Sequence, residues 1–95
     1  MKLIPLTRGK FAVVDDETFD ELSKYKWFYT HYGYAGRSAK KHELEKGYPN
    51  VILMHRQLVN AAKKEDVDHI DGDRLNNQIS NLRICNRRQN LQNQA

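Results

Sequence analysis

Apolar residues along this 95-residue chain come in short clusters separated by polar and turn-forming stretches. Leu3–Leu6 and Phe11–Val14 have strand-like length and composition, and Arg8-Gly9-Lys10 between them reads as a turn. Phe19, Leu22 and Tyr25 then recur at helical spacing behind Asp15 and Asp16, which predicts a short helix capped by one of those acids. Lys24 and Lys26 stand near its end, where positive charge suits the helix dipole. Trp27–Tyr34 is rich in aromatic residues and predicts a strand, loosened at its far end by Gly33 and Gly36. The polar stretch Ala39–Asn50, with Gly47, Pro49 and Asn50, predicts a loop or long hairpin connection to a returning strand at Val51–Met54.

In the second half, Leu58, Val59 and Ala62 predict one face of a helix over His55–Ala62. Val67–Ile70 predicts a short strand, Asp71–Asn77 a turn-rich loop and Leu82–Ile84 a second short strand. Asn86–Gln94 predicts a closing polar helix with Leu91 as its apolar anchor. The expected fold class is α+β. A small N-terminal antiparallel sheet with a short helix occupies residues 1–53, and a strand–loop–strand–helix unit occupies 54–95, the two forming one compact unit.

Composition narrows the setting. No stretch is long or apolar enough to span a bilayer, and MKLIPLTRGK lacks the features of a signal peptide. Cys85 is the single cysteine, which excludes an internal disulfide and a cysteine-built zinc site. A reducing, cytoplasmic location is expected.

Net charge is +4, and its distribution says more than its size. Acids cluster in Asp15–Glu21 and Glu65–Asp73, while Lys24–Lys41 carries five bases and no acid. After Asp73 the chain has no acid, yet Arg74, Arg83, Arg87 and Arg88 follow. Solvated surface charge would account for the composition. Basic stretches flanking an acidic knot also suit a phosphate-binding surface with an acid–base or metal site inside it.

The knot is VDHIDGDRLNN, Val67–Asn77, where Asp68 and His69 sit between Val67 and Ile70. His31 and His42 read as surface residues, and His55 as a packing residue or a phosphate contact. His69 differs in having an acid beside it and a polar loop after it. Asn81 follows twelve residues later, at the mouth of the second strand, and Asn90 twenty-one residues later, inside the last helix. If the strands form a hairpin and the helix crosses it, these side chains converge.

The segment DHIDGDRLNNQISNLRICNRRQNLQN, with MHRQLV upstream, resembles the HNH endonucleases and their ββα-metal motif, most closely the small phage and bacterial type related to intron-associated homing endonucleases. The likeness is specific over Met54–Asn93 and looser over Met1–Tyr48, where IPLTRGKFAVVDDE and YKWFY resemble an N-terminal extension of such nucleases. It implies that His69 is the general base toward water, that Asn81 holds the histidine-bearing loop through its backbone, and that Asp68 and Asn90 ligate one divalent cation. Asn90 stands where many members have histidine. A carboxylate and an amide oxygen suit Mg²⁺, with Mn²⁺ able to replace it, better than zinc. Double-stranded DNA is the implied substrate, nicked or cut to leave 5′-phosphate and 3′-hydroxyl ends.

The residues support this division of labour independently, since phosphodiester hydrolysis needs an activated water and a cation for the developing charge. A neutral imidazole near pH 7 accepts the water's proton well. Arg74, Arg83, Arg87 and Arg88 are expected phosphate contacts, joined by His55, Arg56, Lys40 and Lys41. Adjacent strand residues point to opposite sides, so Asp68 and His69 share a site only if the strand ends or twists there, as Asp71-Gly72-Asp73 allows. Asp71 and Asp73 are turn residues or additional ligands. A calcium-loop reading fails, because with Gly72 sixth the first position is Val67 and the twelfth Gln78. Trp27, Phe28, Tyr29, Tyr32 and Tyr34 form either a DNA-facing sheet or a packed one.

The chain ends five residues after Asn90, which is expected to exclude the C-terminal DNA-reading modules of larger homing enzymes. Long-site specificity would then need base reading by the N-terminal half or a homodimer. Two rival functions remain: a nucleic-acid-binding module that has lost catalysis, and a ribonuclease or degradative nuclease using the same site.

Overall fold

The computed structural model describes residues 1–62 and 64–86. They form a mixed α/β structure of small antiparallel sheets and short helices. Strands β1 (Lys2–Pro5) and β2 (Phe11–Val14) pair antiparallel, with Lys2 opposite Val14 and Pro5 opposite Phe11, as their apolar content predicts. Their alternation turns Ile4, Ala12 and Val14 inward.

Helix α1 (Asp16–Leu22) follows, with Asp15 at the N-cap. The side chain of Asp15 makes no cap bond; its Oδ2 instead accepts the N–H of Ile79 at 2.8 Å. The capping acid thus ties the first helix to the C-terminal half. At the other end, the Trp27 indole N–H donates to the Leu22 carbonyl at 2.7 Å, which fixes how the chain leaves the helix.

Strands β3 (Phe28–Tyr29), β4 (Ala35–Ser38) and β5 (Val51–Leu53) form an antiparallel sheet in that order. This corrects the reading of Trp27–Tyr34 as one strand. The chain turns at Thr30–Gly33, where Gly33 N–H donates to the Thr30 carbonyl and Tyr34 N–H to the Thr30 hydroxyl. Gly36 does not loosen a strand end but lies in the central strand. A Cβ there would meet Thr30 Cγ2 at 2.8 Å and Val51 Cγ1 at 2.9 Å, so glycine is what lets the neighbours close.

The connection expected as loop contains a short helix, α2 (Lys41–Glu45). Arg37, only 3% exposed, holds it in place. Its guanidinium makes a fork with Glu43 at 2.8 and 2.7 Å, Nε donates to Gln57 at 2.8 Å, and the group lies 4.0 Å over the Tyr25 ring.

Helix α3 (Met54–Val59) begins on the fully buried Met54. The expected boundary between residues 53 and 54 falls at the junction of β5 and α3. Strands β6 (Glu65–His69) and β7 (Leu82–Asn86) then form the predicted hairpin, with Asp68 opposite Arg83 and His69 opposite Leu82. Of the closing helix expected over Asn86–Gln94, Asn86 instead ends β7 and the remainder lies outside the described residues.

The core gathers Ile4, Ala12, Val14, Leu22, Trp27, Ala35 and Met54, with Leu75 packing against it from the loop between β6 and β7. That loop is also bound to β2 through its backbone. Val13 N–H donates to Leu75 O at 2.8 Å, and Asn77 N–H to Val13 O at 2.7 Å. Among the described residues, no helix is long and apolar enough to cross a membrane.

Candidate active site

His69 closes β6, and the chain reverses immediately after it. Gly72 N–H donates back to the His69 carbonyl at 2.9 Å, and Gly72 has a φ of 79°, a left-handed conformation that favours glycine. A dense set of side-chain bonds then sets the loop. Asp71 accepts from the Asp73 N–H at 2.8 Å, from Asn76 Nδ2 at 2.8 Å and from Asn81 Nδ2 at 2.9 Å. These bonds hold the Asp71 carboxyl below its usual pKa, the Asn76 amide contributing most. Asp73 accepts the Leu75 N–H at 3.0 Å. Both acids therefore occupy the turn reading.

Asn81 spans the same loop from the far side. Its Oδ1 accepts the Asp71 N–H at 3.0 Å, its Nδ2 donates to the Asn76 carbonyl at 2.9 Å, and its own carbonyl accepts the Ile70 N–H at 2.8 Å. It clamps the backbone on both sides of the reversal that follows His69.

The His69 ring is half-buried and enclosed by three partners. Its Nε2 lies 2.7 Å from Oδ1 of Asn77. The ring stacks on Tyr34 at 6.0 Å between centroids and packs against His55 at 4.8 Å. An amide oxygen can only accept, so with Oδ1 toward the ring Nε2 carries the proton and Nδ1 holds the lone pair. Asn77 has no exposed surface, and its backbone N–H is the one bonded to β2. The N-terminal hairpin thus fixes the residue that aims the histidine.

The sequence places Asn77 only at the end of the turn-rich loop Asp71–Asn77. Its place two residues beyond the apolar Leu75 is the signal that it turns inward.

His55 lies on the packing side of its two expected roles. It is 5% exposed, tilted against Tyr34 at 4.9 Å, and so cannot meet a phosphate in this structure. Burial, reinforced by His69 and Arg56 nearby, pushes its pKa down to about 4 from 6.5. Among the described residues, His55 Nδ1 and Asn77 Nδ2 are buried without a hydrogen-bond partner. Two such atoms beside one half-buried histidine concentrate unmet polarity there.

Asp68 faces the other side of β6, as strand alternation requires. Its Oδ2 lies 3.1 Å from Arg83 Nη2 and 3.7 Å from Cys85 Sγ, and its side chain is 45% exposed. Asp68 and His69 therefore share no side-chain partner among the described residues. Asn90, Arg87 and Arg88 lie outside the described residues.

Among the described residues, no three His, Cys, Asp or Glu side chains lie close enough to hold an ion together. The accessible carboxylate of Asp68 still fits a hard cation, because Mg²⁺ keeps several waters and takes only one or two protein carboxylates plus substrate phosphate.

The basic residues divide by use. Arg56 donates to the Glu65 and Ala62 carbonyls, both at 2.7 Å, and so braces the approach to β6. Lys40 and Lys41 are exposed, Lys40 lying 5.2 Å over the Tyr25 ring. Arg74 is exposed, lies 5.0 Å over the Tyr34 ring and donates to the Tyr32 carbonyl at 2.6 Å. Arg83 is exposed beside Asp68.

Comparison with known proteins bears on the β6–β7 region. Residues 61–92, spanning β6, the loop, β7 and the stretch after it, match the HNH endonuclease family. Across 93% of its length the chain is 33% identical to an uncharacterized HNH endonuclease of Acanthamoeba polyphaga mimivirus, of which it spans 46%, about half. No solved structure matches the chain.

Proposed function

We propose, from the match of residues 61–92 to the HNH endonuclease family and from the likeness to the viral relative, that the chain hydrolyses phosphodiester bonds in double-stranded DNA with one divalent cation. The observation that carries this reading is the aimed imidazole: Nε2 of His69 lies 2.7 Å from Oδ1 of Asn77, an acceptor that assigns the proton to Nε2 and leaves Nδ1 to act as the base. In the reaction, Nδ1 takes a proton from water as its oxygen attacks phosphorus. The bond to the 3′ oxygen breaks and that oxygen takes a proton from solvent, leaving a 5′-phosphate and a 3′-hydroxyl.

Asn81 keeps the loop after His69 closed, so the ring holds its aim while the phosphate moves. Tyr34 and His55 exclude water from the ring's flanks. Asp68, which would have to leave Arg83 and turn toward the His69 side of β6, and Asn90 would hold Mg²⁺, which Mn²⁺ can replace, and the bound cation would stabilise charge developing on the phosphate and leaving oxygen. Arg74 and Arg83 contact phosphates beside the site, with Arg87, Arg88, Lys40 and Lys41 extending the grip.

The test is a supercoiled plasmid incubated with purified protein and Mg²⁺. Nicked or linear product is expected, lost with EDTA and in His69→Ala and Asn90→Ala. An intact plasmid with every divalent cation tried overturns the enzyme reading, and undiminished cutting by His69→Ala overturns the assignment of the base. The same assay on RNA decides against the ribonuclease reading if RNA stays intact.

A further inference from the structure

An open groove of about 570 Å³ runs between the β3–β4 turn and the loop that follows His69, a volume typical of small-ligand sites. Tyr29, His31 and Tyr32 from the β3–β4 segment line it, together with Gly72, Asp73, Arg74 and Leu75 from the loop. We propose that this groove binds one unpaired nucleotide of the substrate next to the scissile phosphate, its base stacked on the tyrosine and histidine rings and its phosphate on Arg74. The inference rests on the nuclease reading above and names the substrate that the site prefers.

Three observations converge on it. Tyr32 is 72% exposed and its ring meets His31 edge-on at 5.4 Å, so the pair offers an uncovered aromatic surface. Aromatic faces of this kind take bases of any identity, but only bases whose own faces are free of the duplex stack. The cationic side is equally prepared. Arg74 is held over Tyr34 and spends one donor on the Tyr32 carbonyl, which leaves most of its guanidinium N–H groups without a protein partner among the described residues. Lys10 adds a second cation 5.7 Å over the Tyr29 ring.

The third observation is continuity with the chemistry. Arg74 lies on Tyr34, and Tyr34 stacks on His69, so one column of rings joins the groove to the base. Gly72, whose N–H bonds the His69 carbonyl, also lines the groove. A nucleotide seated there is therefore a near neighbour of the phosphate under attack. Paired bases present their edges and cannot enter such a slot.

The test uses full-length His69→Ala protein without Mg²⁺, so that binding is read apart from cleavage. The probes are three DNA oligonucleotides of one sequence carrying 2-aminopurine: fully paired, in a one-nucleotide bulge, and single-stranded. The expected result is fluorescence quenching and roughly tenfold tighter binding for the bulged and single-stranded probes, lost on adding Tyr32→Ala or Arg74→Ala. Equal binding of paired and unpaired probes, or unchanged quenching in Tyr32→Ala, overturns the proposal. Because Tyr32 is exposed, its alanine variant keeps the fold. Wild-type protein that cuts bulged and paired duplex at equal rates retains the nuclease reading and loses the groove. Protein that quenches the unpaired probe but cuts nothing does the reverse.

Discussion

Two polar clusters each draw one residue from α3, Gln57 and His55, and they are built to different standards. Around Arg37, donors and acceptors are matched. Glu43 takes both ends of the guanidinium, Gln57 takes Nε, and Tyr25 covers the face. Around His69 the rings are packed as closely, yet His55 Nδ1 and Asn77 Nδ2 have no partner among the described residues. A cluster that only had to stabilise the fold would be expected to be closed like the first. The second carries unmet polarity around one imidazole, a pattern common at sites for chemistry and the one the proposed role of His69 calls for.

Removing the matched cluster should have the largest effect. Arg37→Ala leaves the Glu43 carboxylate half-enclosed and unpaired, which costs about 3–5 kcal/mol and lowers the melting temperature by roughly 12 °C or more. Calorimetry checks this, and a shift of only a degree or two would remove the distinction between the clusters.

Acid should then separate the two, because their groups titrate in different windows. His55 has a folded pKa of about 4 against 6.5. The unfolded chain therefore binds protons more readily, and stability present above pH 6.5 is lost as pH falls to about 4. That loss is on the order of 3 kcal/mol. Glu43 has a folded pKa of about 2 against 4.5, so its contribution persists above pH 4.5 and disappears as pH falls toward 2. Urea unfolding at a series of pH values should show the first slope vanish in His55→Phe and the second persist.

Gly36→Ala tests the sheet that carries the first cluster. The new methyl group meets Thr30 and Val51, and the overpacking should cost about 1–3 kcal/mol in urea unfolding. Arg83→Ala should have the smallest effect. Its pair with Asp68 is solvent-exposed, and losing it should change stability by less than about 1 kcal/mol by the same measurement.

Much of this arrangement was legible in the chain. The alternation in β1 and β2, the spacing of Phe19 and Leu22, and the apolar Val67 and Leu82 each forecast an element that formed. Those signals are local, since they depend on which side chains one strand or helix turns inward. The aromatic run misled because Thr30 and Gly33 bend it into a turn, and the glycine read as a weak point proved to be a point of closest approach. The spacing of His69 and Asn81 located the loop. The orientation of His69 was not legible, because Asn77 and His55 reach it from a loop pinned to β2 and from a separate helix. Only tertiary packing brings those together.

The central claim is that Asn77 serves the chemistry of His69 more than the stability of the fold. Asn77→Leu tests it most directly, with the plasmid cleavage rate and the urea midpoint measured on the same preparation. Leucine removes an amide whose Nδ2 is already unpartnered but leaves the His69 Nε2–H without its acceptor, so stability should fall by about 1–3 kcal/mol, while loss of the ring's aim should slow cleavage by roughly 100-fold. An undiminished rate, or a rate that falls only as far as the folded fraction does, would contradict the account.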